Sequence, residues 1–437
     1  MAKRFVLLGV LLTTACATAP TPVYTPAPAP TPPMAEVAPQ PRPYAPPAPT
    51  SPGPGEVASP TATSFSAWLA GFRQRAEAAG ISRATLDREL AGLTPDPAIA
   101  RLDNAQPEFS KPVSAYVTEA VTPGAVTEGA RLRAANPWLA DVERRYGVPA
   151  GVLIGIWGRE TGYGKILGGN DVIRSLATRI ASGKTRFEPD LIAALRLIDR
   201  GELTRADLKG SWAGAFGQTQ FMPTNIETLA VDGDGDGKRD LRGSTRDALT
   251  SAAAFLKAKG WKPGVDWARE VSLPARFDFG LAEEERQPLT WWAAQGVKRA
   301  DGRPWPAEQG AERARLLLPA GADGPAFLAF DNYDVILQYN RSMAYALAVG
   351  LLADGAEGRP TLARSWPTEP RLARADVVAA QATLQTLGFD PGGVDGQVGE
   401  ATRRALRAWQ KSRGLTADGY LSAAMVARLK ADTGRAG

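Results

Sequence analysis

Histidine is absent from the 437 residues, and cysteine occurs once, as Cys16. Without histidine there is no Ser-His-Asp triad, no Cys-His pair and no His-bearing zinc site. Cys16 stands too near the N-terminus to serve a core site. Catalysis therefore falls to carboxylates, hydroxyls, lysine or a bound metal, and carboxylate chemistry on a glycosidic bond is the simplest of these. Long hydrophobic runs are missing too, since the apolar stretch from Phe5 to Leu12 is too short to span a bilayer as a permanent helix. No dense Lys/Arg run occurs and the formal net charge is only +5. That balance suits a soluble body near an anionic polymer and excludes a dedicated nucleic-acid binder.

Residues 1–16 have the layout of an export signal, with Lys3 and Arg4 as the positive end, an apolar stretch, and Thr13-Thr14-Ala15-Cys16 as the exit site. These four residues resemble a bacterial lipobox, although Thr13 stands where that motif usually has Leu. The resemblance implies a lipid anchor on Cys16 and a periplasmic protein held to a membrane, with the outer membrane expected. Cleavage after Ala15 to leave a free thiol is the alternative. A lone exported cysteine without a disulfide partner favours the anchor, and several acyl chains would hold it firmly. Residues 17–63 are rich in Pro, Ala, Thr and Ser, which predicts an extended, semi-rigid tether.

Glu160 is the carboxylate that draws attention. Leu153, Ile156 and Trp157 precede it by seven, four and three residues, the spacing that stacks side chains on one helical stripe. Burial there would disfavour the charged form, as a general acid near neutral pH requires. A Glu that is salt-bridged at the edge of a core helix fits the spacing equally well. Gly162 and Gly164 favour the first reading, because a Gly-rich turn opens space for a ligand beside the acid.

Helical patterns cover Phe65 to Ala79, Ser82 to Leu90, Ser110 to Val121, Thr127 to Tyr146, Pro189 to Asp199, Arg246 to Lys259 and Asp334 to Leu352. Runs at Arg315 to Leu318 and Ala326 to Phe330 read as strands joined by the turn Pro319 to Gly324. The expectation is a mainly α body with a small β insertion.

Trp157-Gly-Arg-Glu-Thr-Gly-Tyr-Gly164, Lys209-Gly-Ser-Trp-Ala-Gly-Ala-Phe-Gly-Gln-Thr-Gln-Phe-Met-Pro223, the Asp-rich Val231 to Leu241 and Ile336-Leu-Gln-Tyr-Asn-Arg-Ser342 follow one another as in the lytic murein transglycosylase B family. The resemblance covers most of Phe65 to Ala353. It implies a lysozyme-like α+β catalytic domain with helical flanking subdomains that cleaves the MurNAc-β-1,4-GlcNAc bond of peptidoglycan. Glu160 matches that family's sole catalytic carboxylate, acting as acid on the glycosidic oxygen and then as base on the C6 hydroxyl, to leave a 1,6-anhydroMurNAc end. Ser211 and Gln220 should line the sugar groove, and Tyr339 and Asn340 should border Glu160. Arg186 should contact anionic substituents of the glycan. Trp212 or Phe216 could offer a flat face to a sugar ring, but, four apart, they read more simply as core. A muramidase hydrolysing the same bond and a non-catalytic wall-binding scaffold remain open beside this reading.

Asp232-Gly-Asp-Gly-Asp-Gly-Lys-Arg-Asp240 reads as a calcium loop. Asp232, Asp234, Asp236 and Asp240 take loop positions one, three, five and nine, with Gly at six and the Lys238 carbonyl at seven. Position twelve is Gly243, so the closing carboxylate is missing, and Asp247 is the candidate to replace it in a longer loop. A solvated acidic turn is the alternative, but closely spaced Asp residues repel without a cation. The expected cofactor is structural Ca2+.

After Trp366-Pro367 the chain restarts. Three short helices at Asp376 to Leu387, Gly399 to Arg413 and Ser422 to Leu429 resemble the peptidoglycan-binding domain type one, carried by Gln381 to Phe389, Val394 to Thr402, Trp409-Gln410 and Leu415 to Gly419. Leu384, Leu387, Leu406, Leu415, Leu429 and Trp409 read as its core. The expected domains are thus the leader 1–16, the tether 17–63, a catalytic region 64–365 and a wall-binding region 366–437. Expected partners are glycan strands, a membrane through Cys16, and proteins of wall synthesis or division.

Overall fold

The computed structural model describes residues 60–103, 111–368 and 370–433. The leader, Cys16 and nearly all of the proline-rich segment lie outside them. Among the described residues no helix is long and apolar enough to cross a membrane.

Helices dominate, and their starts are set by local chemistry. The side chains of Ser82, Thr122, Asp171, Ser244 and Ser342 each accept an N–H of the following first turn, which satisfies a donor the helix itself cannot. Two expected helices are each divided. Thr127 to Tyr146 becomes Pro123–Ala135 and Leu139–Tyr146, because Pro137 bars its predecessor from helical geometry and Asn136 takes φ −122° and ψ 70°. Asp334 to Leu352 becomes Asp331–Tyr339 and Met343–Ala356. Asn340 is extended there, with φ −147° and ψ 124°, and Ser342 restarts the helix by capping Tyr345 N–H at 3.3 Å.

The main core forms around Ala150–Thr161, whose residues from Ala150 to Trp157 are all buried. Its most extensive packing is on Met343–Ala356. Glycine lets the two backbones approach closely: a Cβ at Gly155 would lie 2.4 Å from Val349 O, and one at Gly151 would lie 2.8 Å from Ala353 O.

A second core belongs to a five-stranded antiparallel sheet. Its strands run in the spatial order Gln287–Pro288, Arg313–Leu317, Ala326–Ala329, Ala268–Ser272, Lys298–Arg299. The two strands read from the sequence are neighbours in this sheet, with Leu316 opposite Leu328. Ala268–Ser272 escapes notice in the sequence because its charged residues Arg269 and Glu270 interrupt the apolar pattern.

The third core lies among Arg374–Thr386, Glu400–Ser412 and Ala423–Thr433. Leu384, Leu406, Trp409 and Leu429 are buried in it, while Leu387 and Leu415 pack at its edge. Two buried glutamines fix its turns. Gln381 accepts from Gly396 N–H and donates to Asp395, and Gln410 accepts from Gly419 N–H and donates to Asp418.

Gly155→Ala should destabilise the fold by about 1–3 kcal/mol, because the added methyl meets a backbone oxygen that cannot rotate away. Urea denaturation followed by tryptophan fluorescence measures this. A midpoint within error of wild type would mean the two helices are not in tight contact.

Candidate active site

Glu160 lies on the last turn of Ala150–Thr161 and is half-buried, below the fully buried Leu153, Ile156 and Trp157. Beyond it the chain reverses through Gly162, Tyr163 and Gly164, all left-handed at φ 57°, 65° and 80°. Glycine tolerates this geometry, whereas Tyr163 must be held in it. Its hydroxyl donates to Ala125 O at 2.7 Å, and burial pushes the phenol up to about 12. Thr161 ties the same turn to the Gly-Ser-Trp segment, donating to Gln218 O at 2.7 Å and accepting from Gly164 N–H at 3.0 Å.

The group facing the Glu160 carboxylate is Tyr345, whose hydroxyl donates to Oε1 at 2.6 Å. Tyr345 is buried and stacks on Tyr339 with ring centroids 6.4 Å apart and planes 11° from parallel. Tyr339 in turn donates to Thr219 O at 2.7 Å. Burial above all, and then the charge of Glu160, push both phenols well above their ordinary range. They stay neutral O–H donors throughout the range in which a carboxylate titrates. Arg159 donates through Nε to the Tyr116 hydroxyl at 2.5 Å, with its guanidinium 4.6 Å from that ring centroid. Burial opposes the Arg159 charge, but Tyr116 and then Glu160 favour it more, and the group remains cationic.

Of the residues expected around Glu160, Tyr339 joins it through Tyr345. The half-buried amide of Asn340, next in the chain, has no hydrogen-bond partner among the described residues. Gln220 is left-handed at φ 50° and donates to Gly217 O at 2.8 Å, leaving its side-chain oxygen uncommitted. Ser211 accepts from Ala215 N–H at 3.1 Å, so it also shapes the turn it sits on.

Arg186 is exposed and lies over the Phe187 ring at 4.6 Å. It belongs to a second cluster organised by Arg179, a residue the motifs do not reveal. Arg179 is buried, donates to Ala213 O at 2.6 Å, and sits 3.8 Å from the Phe187 centroid and 5.3 Å from that of Trp212. Phe216 is core, but Trp212 is half-exposed and packs outside it. Four-residue spacing implies a shared face only in a helix. Here the chain turns through Gly214 at φ 93°, and Gly210 bridges back to Phe216.

In the acidic loop, oxygens of Asp232, Asp234 and Asp247 lie within 4.8 Å of one another. Asp247, fully buried at the start of Thr245–Ala258, accepts N–H groups from Gly233, Asp234 and Asp240. It thereby draws the loop in and sets its own carboxylate beside those of Asp232 and Asp234. Asp236, Lys238 and Asp240 stand outside this cluster. Asp236 accepts Lys238 N–H, and Asp240 accepts Arg242 and Gly243 N–H. Three converging hard-oxygen ligands fit a calcium ion.

Comparison with known proteins places these features in context. Residues 64–354 match the family model of the Transglycosylase SLT domain, and residues 373–429 match that of the Putative peptidoglycan binding domain. Membrane-bound lytic murein transglycosylase B of Escherichia coli (strain K12) is 31% identical over 212 residues, 47% of this chain and 56% of that protein. The match therefore spans little more than half the length of that relative. SltB3 from Pseudomonas aeruginosa, solved with NAG-anhNAM-pentapeptide, is 46% identical, with a TM-score of 0.79 over 84% of this chain and 99% of that one. The Escherichia coli lytic transglycosylase SLT35, solved with calcium, is 26% identical, with a TM-score of 0.56 over 70% of this chain and 97% of that one. A helix-borne Glu-Thr turn clamped to a Gly-Ser-Trp segment thus sits inside a family match that covers most of the chain, which belongs to the Transglycosylase SLT domain family.

Proposed function

We propose that this protein is a lytic transglycosylase that cleaves the MurNAc-β-1,4-GlcNAc bond of peptidoglycan and leaves 1,6-anhydroMurNAc ends. The observation that carries the reading is the half-buried Glu160 carboxylate held at 2.6 Å by a neutral phenol, within a chain of this family. In its protonated form Glu160 donates to the glycosidic oxygen as the C1–O bond breaks. The resulting carboxylate then takes the proton of the C6 hydroxyl of the same muramoyl unit, and O6 bonds to C1. The proton returns to Glu160, so no water is consumed and no second carboxylate is required. Tyr345, bound to Oε1, fixes the orientation of the carboxyl group that carries the proton.

Ser211, Gln220, Tyr339 and Asn340 are assigned to the sugar groove, where amide and hydroxyl groups match sugar hydroxyls and acetamides. Arg186 is assigned to the anionic substituents of the glycan. The exposed face of Trp212 joins this set as a platform for a sugar ring. The C-terminal region is read as the wall-binding module and Asp232, Asp234 and Asp247 as the holders of a structural calcium ion. Cys16 is read as a lipid anchor facing the periplasm, in keeping with a relative named membrane-bound.

Glu160→Gln keeps the shape and removes the proton donor. Release of muropeptides from purified sacculi should fall roughly 100-fold or more, with the circular dichroism spectrum unchanged. Activity within a few-fold of wild type would remove Glu160 from the mechanism.

Tyr345→Phe should lower kcat about ten-fold and leave KM within about two-fold, since a charge-assisted bond contributes about 1.5–3 kcal/mol and each ten-fold in rate is about 1.4 kcal/mol. Steady-state kinetics on a soluble tetrasaccharide peptide reads both constants. An unchanged kcat would mean that the tyrosine does not orient the acid.

Calcium should raise Tm in proportion to the logarithm of its concentration, because it binds only the state that contains the loop. Asp232→Ala with Asp234→Ala should remove the shift. Equal shifts in both proteins would place the ion elsewhere.

A further inference from the structure

The C-terminal module is not hung from the body on a free linker. Ala363 and Arg364 donate their N–H groups to the Glu270 carboxylate at 2.6 and 2.8 Å, and Leu362 and Trp366 pack against the main core. The module then meets the β insertion at a charged joint. Arg403, on Glu400–Ser412, sets its Nε 2.7 and 2.9 Å from the two Glu283 oxygens. Arg407, one turn further on, lies 3.9 Å from the same carboxylate, and those two side chains are 6% and 5% exposed. Beside them Ala322 N–H donates to Asp418 at 3.0 Å.

The backbone is shaped for this contact. Glu283 is left-handed at φ 60°, a conformation that disfavours any side chain, and its own N–H is fixed on Leu316 O at 2.8 Å. Gly321, at φ 68°, leaves room where a Cβ would lie 2.6 Å from Asp418 and 2.8 Å from Tyr420. The close ionic contacts fall on one residue. A single carboxylate serves two largely buried guanidiniums, and Nε and Nη2 of Arg407 have no hydrogen-bond partner. Loss of Glu283 would take from both cations the one carboxylate within 4 Å, leaving Arg407 only the more distant Glu284 and Asp418, which is more costly than losing an exposed pair.

We propose that Glu283 is a clasp that fixes the C-terminal module in one pose on the β insertion, so that module and Glu160 groove engage a polymeric glycan at a set spacing. The proposal rests on the wall-binding reading of the module. Two sites joined rigidly gain most when their spacing matches the ligand and lose that gain when the geometry is released. A short oligomer fills only the groove and does not sense the clasp. A strand of the intact wall reaches both sites and does.

The test uses the full chain with Glu283→Arg, which brings three guanidiniums together, and the exchange variant Glu283→Arg with Arg403→Glu, which restores opposite charges. Small-angle X-ray scattering should show a larger radius of gyration for the reversal and a return toward wild type for the exchange. Turnover on sacculi, divided by turnover on soluble oligomers, should fall about five-fold in the reversal and recover in the exchange. Pelleting with sacculi should stay within about two-fold of wild type. An unchanged scattering profile in the reversal overturns the clasp. An opened profile with an unchanged turnover ratio overturns the set spacing. A wild-type chain that does not pellet with sacculi refutes the wall-binding reading instead, and scattering still decides the clasp.

Discussion

The contact between Ala150–Thr161 and Met343–Ala356 is the constraint from which the site follows. Glu160 is on one of these helices and Tyr345 on the other, so the 2.6 Å bond between them exists only if the two backbones stay close. Gly151 and Gly155 permit that approach, and apolar burial along both helices drives it. A carboxylate placed on a packed helix end keeps one orientation, which is what proton transfer to a defined oxygen needs.

Breaks in the helices are as informative as the helices themselves. The interruption at Asn340 lets Tyr339 and Tyr345 stack across two helices, and the left-handed run from Gly162 to Gly164 turns the chain so that Thr161 can bind Gln218. The segment that should hold sugar is thereby fastened to the turn that carries the acid. Neutral phenols on one side and the Arg159 charge on another give Glu160 surroundings unlike those of an exposed glutamate.

Much of this was legible in the chain. Glu160 stood out because helical spacing is strict, and two neighbouring strands of the insertion because short apolar runs flank a turn. Asp247, singled out beside the acidic loop, does lie against it, because its oxygens accept N–H groups of Gly233, Asp234 and Asp240. Other features were not legible. Tyr345 lies outside the motifs and reaches Glu160 only through tertiary packing. Arg179 looks like an ordinary helix residue until Phe187 and Trp212 fold over it. Of the two readings open for Trp212, periodicity favours core, but it assumes a helix that Gly214 prevents, and the side chain is half-exposed. The Glu283 joint depends on residues more than one hundred positions apart, and nothing local announces it.

The central claim is that Glu160 acts alone, with the C6 hydroxyl and not water as nucleophile. Digestion of purified peptidoglycan in water enriched in oxygen-18 tests it most directly, with the mass of each released muramoyl end read by mass spectrometry. The account predicts ends lighter by one water than a reducing end and free of the label. Reducing ends that carry oxygen-18 would contradict it and identify a hydrolase.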